Sequence, residues 1–370
     1  MANNAKTYVN LVFLLAIALS LHVIQGQVQP PIDAIYQFGD SISDTGNLIR
    51  DNFIGEHSPF ASLPYGQDFF HEATGRCSNG RLMIDFFAEY FKFPYLDAYL
   101  NKAGNFSHGV NFAVAGSTAL TTGTLALKGI ISPLTWSSLS VQLNWFQSYL
   151  TSICPDLNDC KNKLANALFI IESGGNDINY AVMERKNIQG IYGMVPEVIG
   201  AVKAAIEEVI NFGATRVVVP GNFLFGCMPI YLYMFPPNNA TLYDELHCVE
   251  QLIELSTFQN NFLQKTLKEL QAEHPLVKIV YADYFNAMKG LLQNATALGF
   301  DETLRTCCGM GDNSANFGIT KICGFKGVPV CPNPDKSVSW DGIHMTERAY
   351  KIMADWLLQH NILPAISKAA

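Results

Sequence analysis

Two hydrophobic periods alternate along this chain. Short continuous apolar runs recur at 34–38, from 109, at 167–171, at 216–220 and at 277–281, and each predicts a buried strand. Between them apolar residues return at helical spacing. This predicts helices over 82–90, 141–150, 196–212, 248–273, 284–292 and 345–360. Pro196 is placed to open the third of these and Gly213 to stop it. Segments 51–78, 221–247 and 300–339 follow neither period and are expected to be loops, the first lying over the functional site. Strands alternating with helices predict an α/β fold with a parallel sheet covered on both faces, a three-layer α/β/α arrangement with five strands. The absence of a repeat, a low-complexity tract or a linker predicts one domain from 27 to 370. In such sheets the site lies beyond the carboxyl ends of the strands.

Composition narrows the class. The chain has 370 residues, 49% hydrophobic and 15% charged, so a sizeable core can form. A net charge of −8 argues against nucleic acid or an anionic membrane as partner. The apolar stretch 11–21 behind Lys6, followed by small Gly26, reads as a signal peptide over 1–26; its core is too short to span a bilayer. This predicts the secretory pathway, ending outside the cell or in a vacuole. Sequons at Asn105, Asn239 and Asn294 are then candidate glycosylation sites. Nine cysteines suit the same route. Cys154 with Cys160 and Cys227 with Cys248 are natural pairs. Cys307 and Cys308 pair with Cys323 and Cys331 in either combination, leaving Cys77 as a buried thiol. Metal-ligand spacing is absent.

The candidate chemistry centres on Ser41. It follows the first predicted strand within Phe38-Gly39-Asp40-Ser41-Ile42-Ser43-Asp44-Thr45-Gly46-Asn47, at a strand-to-helix turn that lifts a hydroxyl above the sheet edge. Residue 43 is Ser, so this is not the Gly-x-Ser-x-Gly elbow. A serine hydroxyl needs a base. His344, three residues after Asp341 with Gly342 easing the turn between them, is the best candidate of eight histidines. Oxyanion donors are expected from the backbone N–H of Ser41, from Gly116 and from the side-chain amide of Asn176. Asp40, Asp44 and Asp177 read as turn and cap carboxylates. Taken singly, each piece is an ordinary turn or cap residue.

Taken in order, Ser41, Gly116, Asn176 and His344 resemble the four blocks of the SGNH hydrolases. The Gly39-Asp40-Ser41 turn, with Ile42 where that motif carries Leu, resembles their plant GDSL esterase/lipase branch. Within it the sequence is similar to the acetylajmalan esterase and sinapine esterase group, through 36–41, 109–116, 142–146 and 328–334. The resemblance implies a flavodoxin-like SGNH-hydrolase fold. It implies a secreted serine esterase with a Ser41–His344–Asp341 triad, acting without metal or organic cofactor. The substrate implied is a small ester of a plant specialised metabolite, such as an alkaloid, iridoid or phenolic ester. The expected partner is that small molecule alone, in a monomer with no membrane anchor. Two alternatives remain on the same residues: acyl transfer to an alcohol, and a non-catalytic secreted binding glycoprotein. The aromatic loops 53–70 and 223–236 suit either a wall for a ring-bearing substrate or core packing.

Overall fold

The apolar runs fold as strands, the central ones buried on both faces and the edge strand β5 only half-buried. The computed structural model describes residues 32–367, apart from 132 and 238–241. The leader read at 1–26 and the sequon at Asn239 lie outside the described residues. Strands β1 (Ala34–Phe38), β2 (Gly109–Asn111), β3 (Ala167–Ile171), β4 (Arg216–Pro220) and β5 (Lys278–Ala282) form one sheet in the order β2-β1-β3-β4-β5. Every pairing is parallel, with Tyr36 set between Val110 and Phe169. All residues of β1 and β3 are buried, which is why those strands read as unbroken apolar runs rather than alternating ones.

The helices that build the layers and the site are α1 (Met83–Phe91), α2 (Leu139–Ile153), α3 (Gly175–Met183), α4 (Ile188–Phe212), α5 (Pro229–Met234), α6 (Glu250–Glu273), α7 (Tyr284–Gln293) and α8 (Glu347–Leu357). They pack in two groups, α2 and α6 against α4, and α1 and α7 against α8, as two covered faces require. The chain leaves β1 toward one side of the sheet and enters β3 on the other. The strand order therefore reverses beside β1, opening a crevice at the carboxyl ends of β1 and β3.

The structure departs from the sequence expectation in several places, among them helix α5, which lies within the segment 221–247 expected to be a loop. Helix α4 begins at Ile188, and Pro196 lies inside it rather than at its start. The apolar face Ile191, Met194, Val195, Val198 and Ile199 runs through the proline and is buried on both sides of it, so packing outweighs the missing N–H. Helix α3 follows β3 directly where a turn was expected. The segment 51–78 is partly ordered, with short turns at Phe53–Glu56 and Pro59–Ala61. The segment 300–339 carries a two-stranded parallel pair, Glu302–Thr306 with Ser337–Ser339.

Four disulfides form: Cys154–Cys160, Cys227–Cys248, Cys307–Cys331 and Cys308–Cys323. Cys77 stays free and buried. Among the described residues no helix is long and apolar enough to cross a membrane, and no group of His, Cys, Asp or Glu is placed to hold a metal ion.

Candidate active site

The turn after β1 is held by its own carboxylates. Asp44 accepts the N–H groups of Gly46, Asn47 and Leu48, and reaches across to the N–H of Ala115 at 2.8 Å. Asp40 accepts the N–H of Ile42 at 3.1 Å. From below, Gln142 of α2 clamps Gly39, accepting its N–H at 2.9 Å and donating to its carbonyl at 2.8 Å. Asp177 accepts the N–H groups of Ala119 and Leu120. The three aspartates therefore act as the loop-holding groups their positions suggested. Ser41 is left little freedom at the carboxyl end of β1.

A second turn, ahead of α8, delivers the histidine. Asp341 Oδ1 accepts the backbone N–H of Ile343 at 3.0 Å and of His344 at 2.8 Å. Gly342 takes φ +99°, where a Cβ would strike the Phe317 ring at 2.3 Å. The result is a linear array: His344 Nε2 lies 2.7 Å from Ser41 Oγ, and His344 Nδ1 lies 2.6 Å from Asp341 Oδ2. All three side chains are at least nine-tenths buried. Burial pushes the Asp341 carboxyl up, but the His344 ring and the N–H bonds around it outweigh that and hold it below the usual range. An ionised Asp341 fixes the Nδ1–H tautomer and leaves the Nε2 lone pair facing the serine hydroxyl.

Gly116 and Asn176 reach the same place. Gly116, at φ +81°, lines the cavity beside Ser41. Asn176 stands in the first turn of α3, and its amide is already engaged. It donates to the Ser117 carbonyl at 3.0 Å and to Asp40 Oδ2 at 3.2 Å. Its oxygen accepts from Asn179 at 3.2 Å, whose own oxygen accepts from the Tyr231 hydroxyl. The Asn176 amide is thus oriented by a chain of side chains, and a bond from it to a substrate oxygen would be shared with one of its resting partners.

Behind Ser41 sits a carboxyl pair. Glu172, at the end of β3, accepts the Asp40 N–H at 3.3 Å. Burial, reinforced by the Asp40 charge, pushes the Glu172 carboxyl well above the usual range. Burial pushes Asp40 up to about 6.

Two hollows meet at Ser41. The larger, about 250 Å³, is walled by Phe60, Leu134, Met183, Met228, Ile230 and Ile343, with no carboxylate or ammonium group in its lining. The smaller, about 30 Å³, runs between Ser41, Gly175, Asn222, Phe223 and Phe225, with Asp40 and Glu172 also in its lining. The aromatic loops form the wall only in part: Phe60 and Tyr231 face the large hollow, whereas the half-buried Phe69 and Phe70 pack on each other and on Tyr95. Asn179 and Tyr180 on α3 carry no motif signal in the sequence. Nor does Tyr65, whose hydroxyl donates to Asp341 Oδ2 at 2.8 Å across 276 residues of sequence. No local pattern marks such a contact. Asn105 and Asn294 are both exposed.

A serine hydroxyl aligned with an imidazole and a carboxylate at the switch point of a doubly wound sheet places this molecule among the α/β serine hydrolases. Comparison with known proteins specifies the class. Residues 35–357 match the model of the GDSL-like lipase/acylhydrolase family, and the chain belongs to that family. Acetylajmalan esterase 2 of Rauvolfia serpentina is 46% identical over 348 residues, covering 92% of this chain and 95% of that protein. A second acetylajmalan esterase of that plant is also 46% identical, over 92% of this chain and 87% of its own. A GDSL esterase/lipase of Arabidopsis thaliana is 43% identical over 92% and 90%. The protein is a carboxylic ester hydrolase.

Proposed function

We propose that this chain hydrolyses a short-acyl ester of a small, apolar, ring-bearing plant metabolite through a Ser41 acyl-enzyme. The observation that carries the reading is the Ser41–His344–Asp341 array, at 2.7 and 2.6 Å, opening onto two hollows of very different size. His344 takes the Ser41 proton as Oγ attacks the ester carbonyl. The tetrahedral oxyanion is held by the N–H groups of Ser41 and Gly116 and by the Asn176 amide. His344 then hands the proton to the departing alcohol, and water repeats the sequence to free the acid.

The hollows suggest which part of the ester goes where. A space of about 30 Å³ admits roughly two waters, enough for an acetyl methyl and too little for a fatty chain. The apolar space of about 250 Å³ suits the ring system of the alcohol. The names of the Rauvolfia relatives, acetylajmalan esterases, support an acetylated alkaloid, with iridoid and phenolic esters as neighbouring chemistries. The leader at 1–26, the exposed sequons and four disulfides support a secreted or vacuolar glycoprotein, which we read as a monomer.

The test is turnover of p-nitrophenyl esters from acetate to palmitate alongside acetylated alkaloids, iridoids and phenolics, with Ser41→Ala as control. Acetate should exceed octanoate in kcat/KM by at least about 100-fold, and Ser41→Ala should lose about 10⁴-fold or more. A preference for palmitate would overturn the short-acyl assignment. Equal rates for Ser41→Ala and wild type would overturn the acyl-enzyme.

A further inference from the structure

The loop 51–78 does more than cover the site. Its Tyr65 is 2% exposed and fixed on three sides: edge-on to Phe60 at 5.0 Å, edge-on to Trp340 at 6.2 Å, and, through the N–H of Gly66, to the Ser78 carbonyl at 2.9 Å. Phe60 in turn lies edge-on to the His344 ring at 5.8 Å. The Tyr65 hydroxyl points at Asp341 Oδ2, the same oxygen that receives His344 Nδ1.

Asp341 therefore accepts four hydrogen bonds, two on each oxygen: the N–H groups of Ile343 and His344 on Oδ1, and the Tyr65 hydroxyl and His344 ring on Oδ2. Its capacity as an acceptor is filled. The other titratable groups electrostatically coupled to Asp341 or His344 are the Cys77 thiol, the Tyr350 hydroxyl and the Asp40 carboxyl. None of them makes a direct hydrogen bond to Asp341.

We propose that Tyr65 is a positioning residue of the triad, one that holds the Asp341 carboxylate against His344 and shares Oδ2 with the imidazole, so tempering the charge that Asp341 presents to the ring. A donor shared on one oxygen draws negative charge away from the other bond to that oxygen. Without it, Asp341 presents more charge to His344 and stabilises the imidazolium further. The unprotonated ring, which general-base catalysis requires, is then reached only at higher pH. The inference rests on the esterase reading above for its catalytic consequence, and on geometry alone for the coupling of Tyr65 to His344.

Tyr65→Phe separates these meanings, because it removes one oxygen and keeps the ring in its slot between Phe60 and Trp340. The acid limb of the kcat/KM profile on p-nitrophenyl acetate should move upward by about half a pH unit. On the plateau, kcat should fall roughly ten-fold with KM unchanged. A profile that superimposes on wild type, with kcat intact and only the melting temperature lowered, would overturn the proposal and make Tyr65 a packing residue. The second measurement needs no substrate: the His344 Nδ1 proton resonance, read by NMR in wild type and variant. It should move downfield in Tyr65→Phe as the Asp341–His344 bond tightens, and an unmoved resonance would overturn the coupling. If wild type turned over no ester yet the resonance moved, the esterase reading would fail while the coupling stood.

Discussion

A single methyl group at Gly116 tests the oxyanion side of the site. A Cβ built there would meet Leu134 Cβ at 2.7 Å and the Tyr180 hydroxyl at 2.9 Å. That hydroxyl is not free to retreat, since it donates to the Gly116 carbonyl at 2.8 Å and accepts the Leu134 N–H at 3.2 Å. The backbone of 116 would have to turn, and with it any N–H aimed at the substrate. Gly116→Ala should therefore cost about 100-fold in kcat on p-nitrophenyl acetate, the usual loss for one oxyanion donor, while the positive φ costs about 1 kcal/mol of stability. Steady-state kinetics with a thermal melt on the same sample checks both. Wild-type kcat at a lowered melting temperature would remove Gly116 from the oxyanion site and leave it a turn glycine.

At the scale of elements, the disulfides differ in what they hold. Cys307 and Cys308 donate their N–H groups to the carbonyls of Ser339 and Trp340, the two residues ahead of Asp341. Their bridges to Cys331 and Cys323 thus pin the strand that leads into Asp341 and His344. Cys154–Cys160 precedes β3 and sits at the amino ends of the strands, away from the site. Replacing Cys308 and Cys323 by Ser opens a loop of separation 15, which should cost about 3 kcal/mol in urea unfolding and lower kcat as well. Replacing Cys154 and Cys160 should cost less and leave kcat unchanged; equal kcat in both double variants would show that the first bridge does not govern the site. The same elements show what could be read in advance. The strands and the Asp341–His344 pairing were legible, because a doubly buried strand leaves an unbroken apolar run, and an Asp-x-x-His turn keeps its two partners three residues apart. Helix α3 was not, because Gly174 and Gly175 mask its start. The choice between Cys323 and Cys331 was not, because chain spacing allows both pairings. Nor was Tyr65, whose bond to Asp341 exists only once the loop 51–78 is folded against the site.

For the whole molecule, the buried carboxyls set an opposition between stability and catalysis. Burial pushes Asp40 and Asp177 up to about 6, and pushes Asp44 and Glu172 upward as well. A carboxyl that binds its proton more tightly folded than unfolded stabilises the fold at acid pH. That contribution is fully present below the unfolded value, about 4, and is lost as pH rises through the folded value. Asp341 runs the other way: held below the usual range, it contributes above about 4 and is lost as pH falls further. The sum places maximal stability near pH 4 to 5, with a decline through pH 6. Ester hydrolysis asks for the reverse, an unprotonated imidazole at His344 and so a rate that rises with pH. Scanning calorimetry should therefore find the melting temperature several degrees higher at pH 5 than at pH 7.5, while kcat/KM on p-nitrophenyl acetate climbs between those values. A melting temperature that is flat or rises with pH would mean that the hydrogen bonds to Asp44 and Asp177 outweigh their burial, and that these loops are held by charge at every pH where the enzyme works.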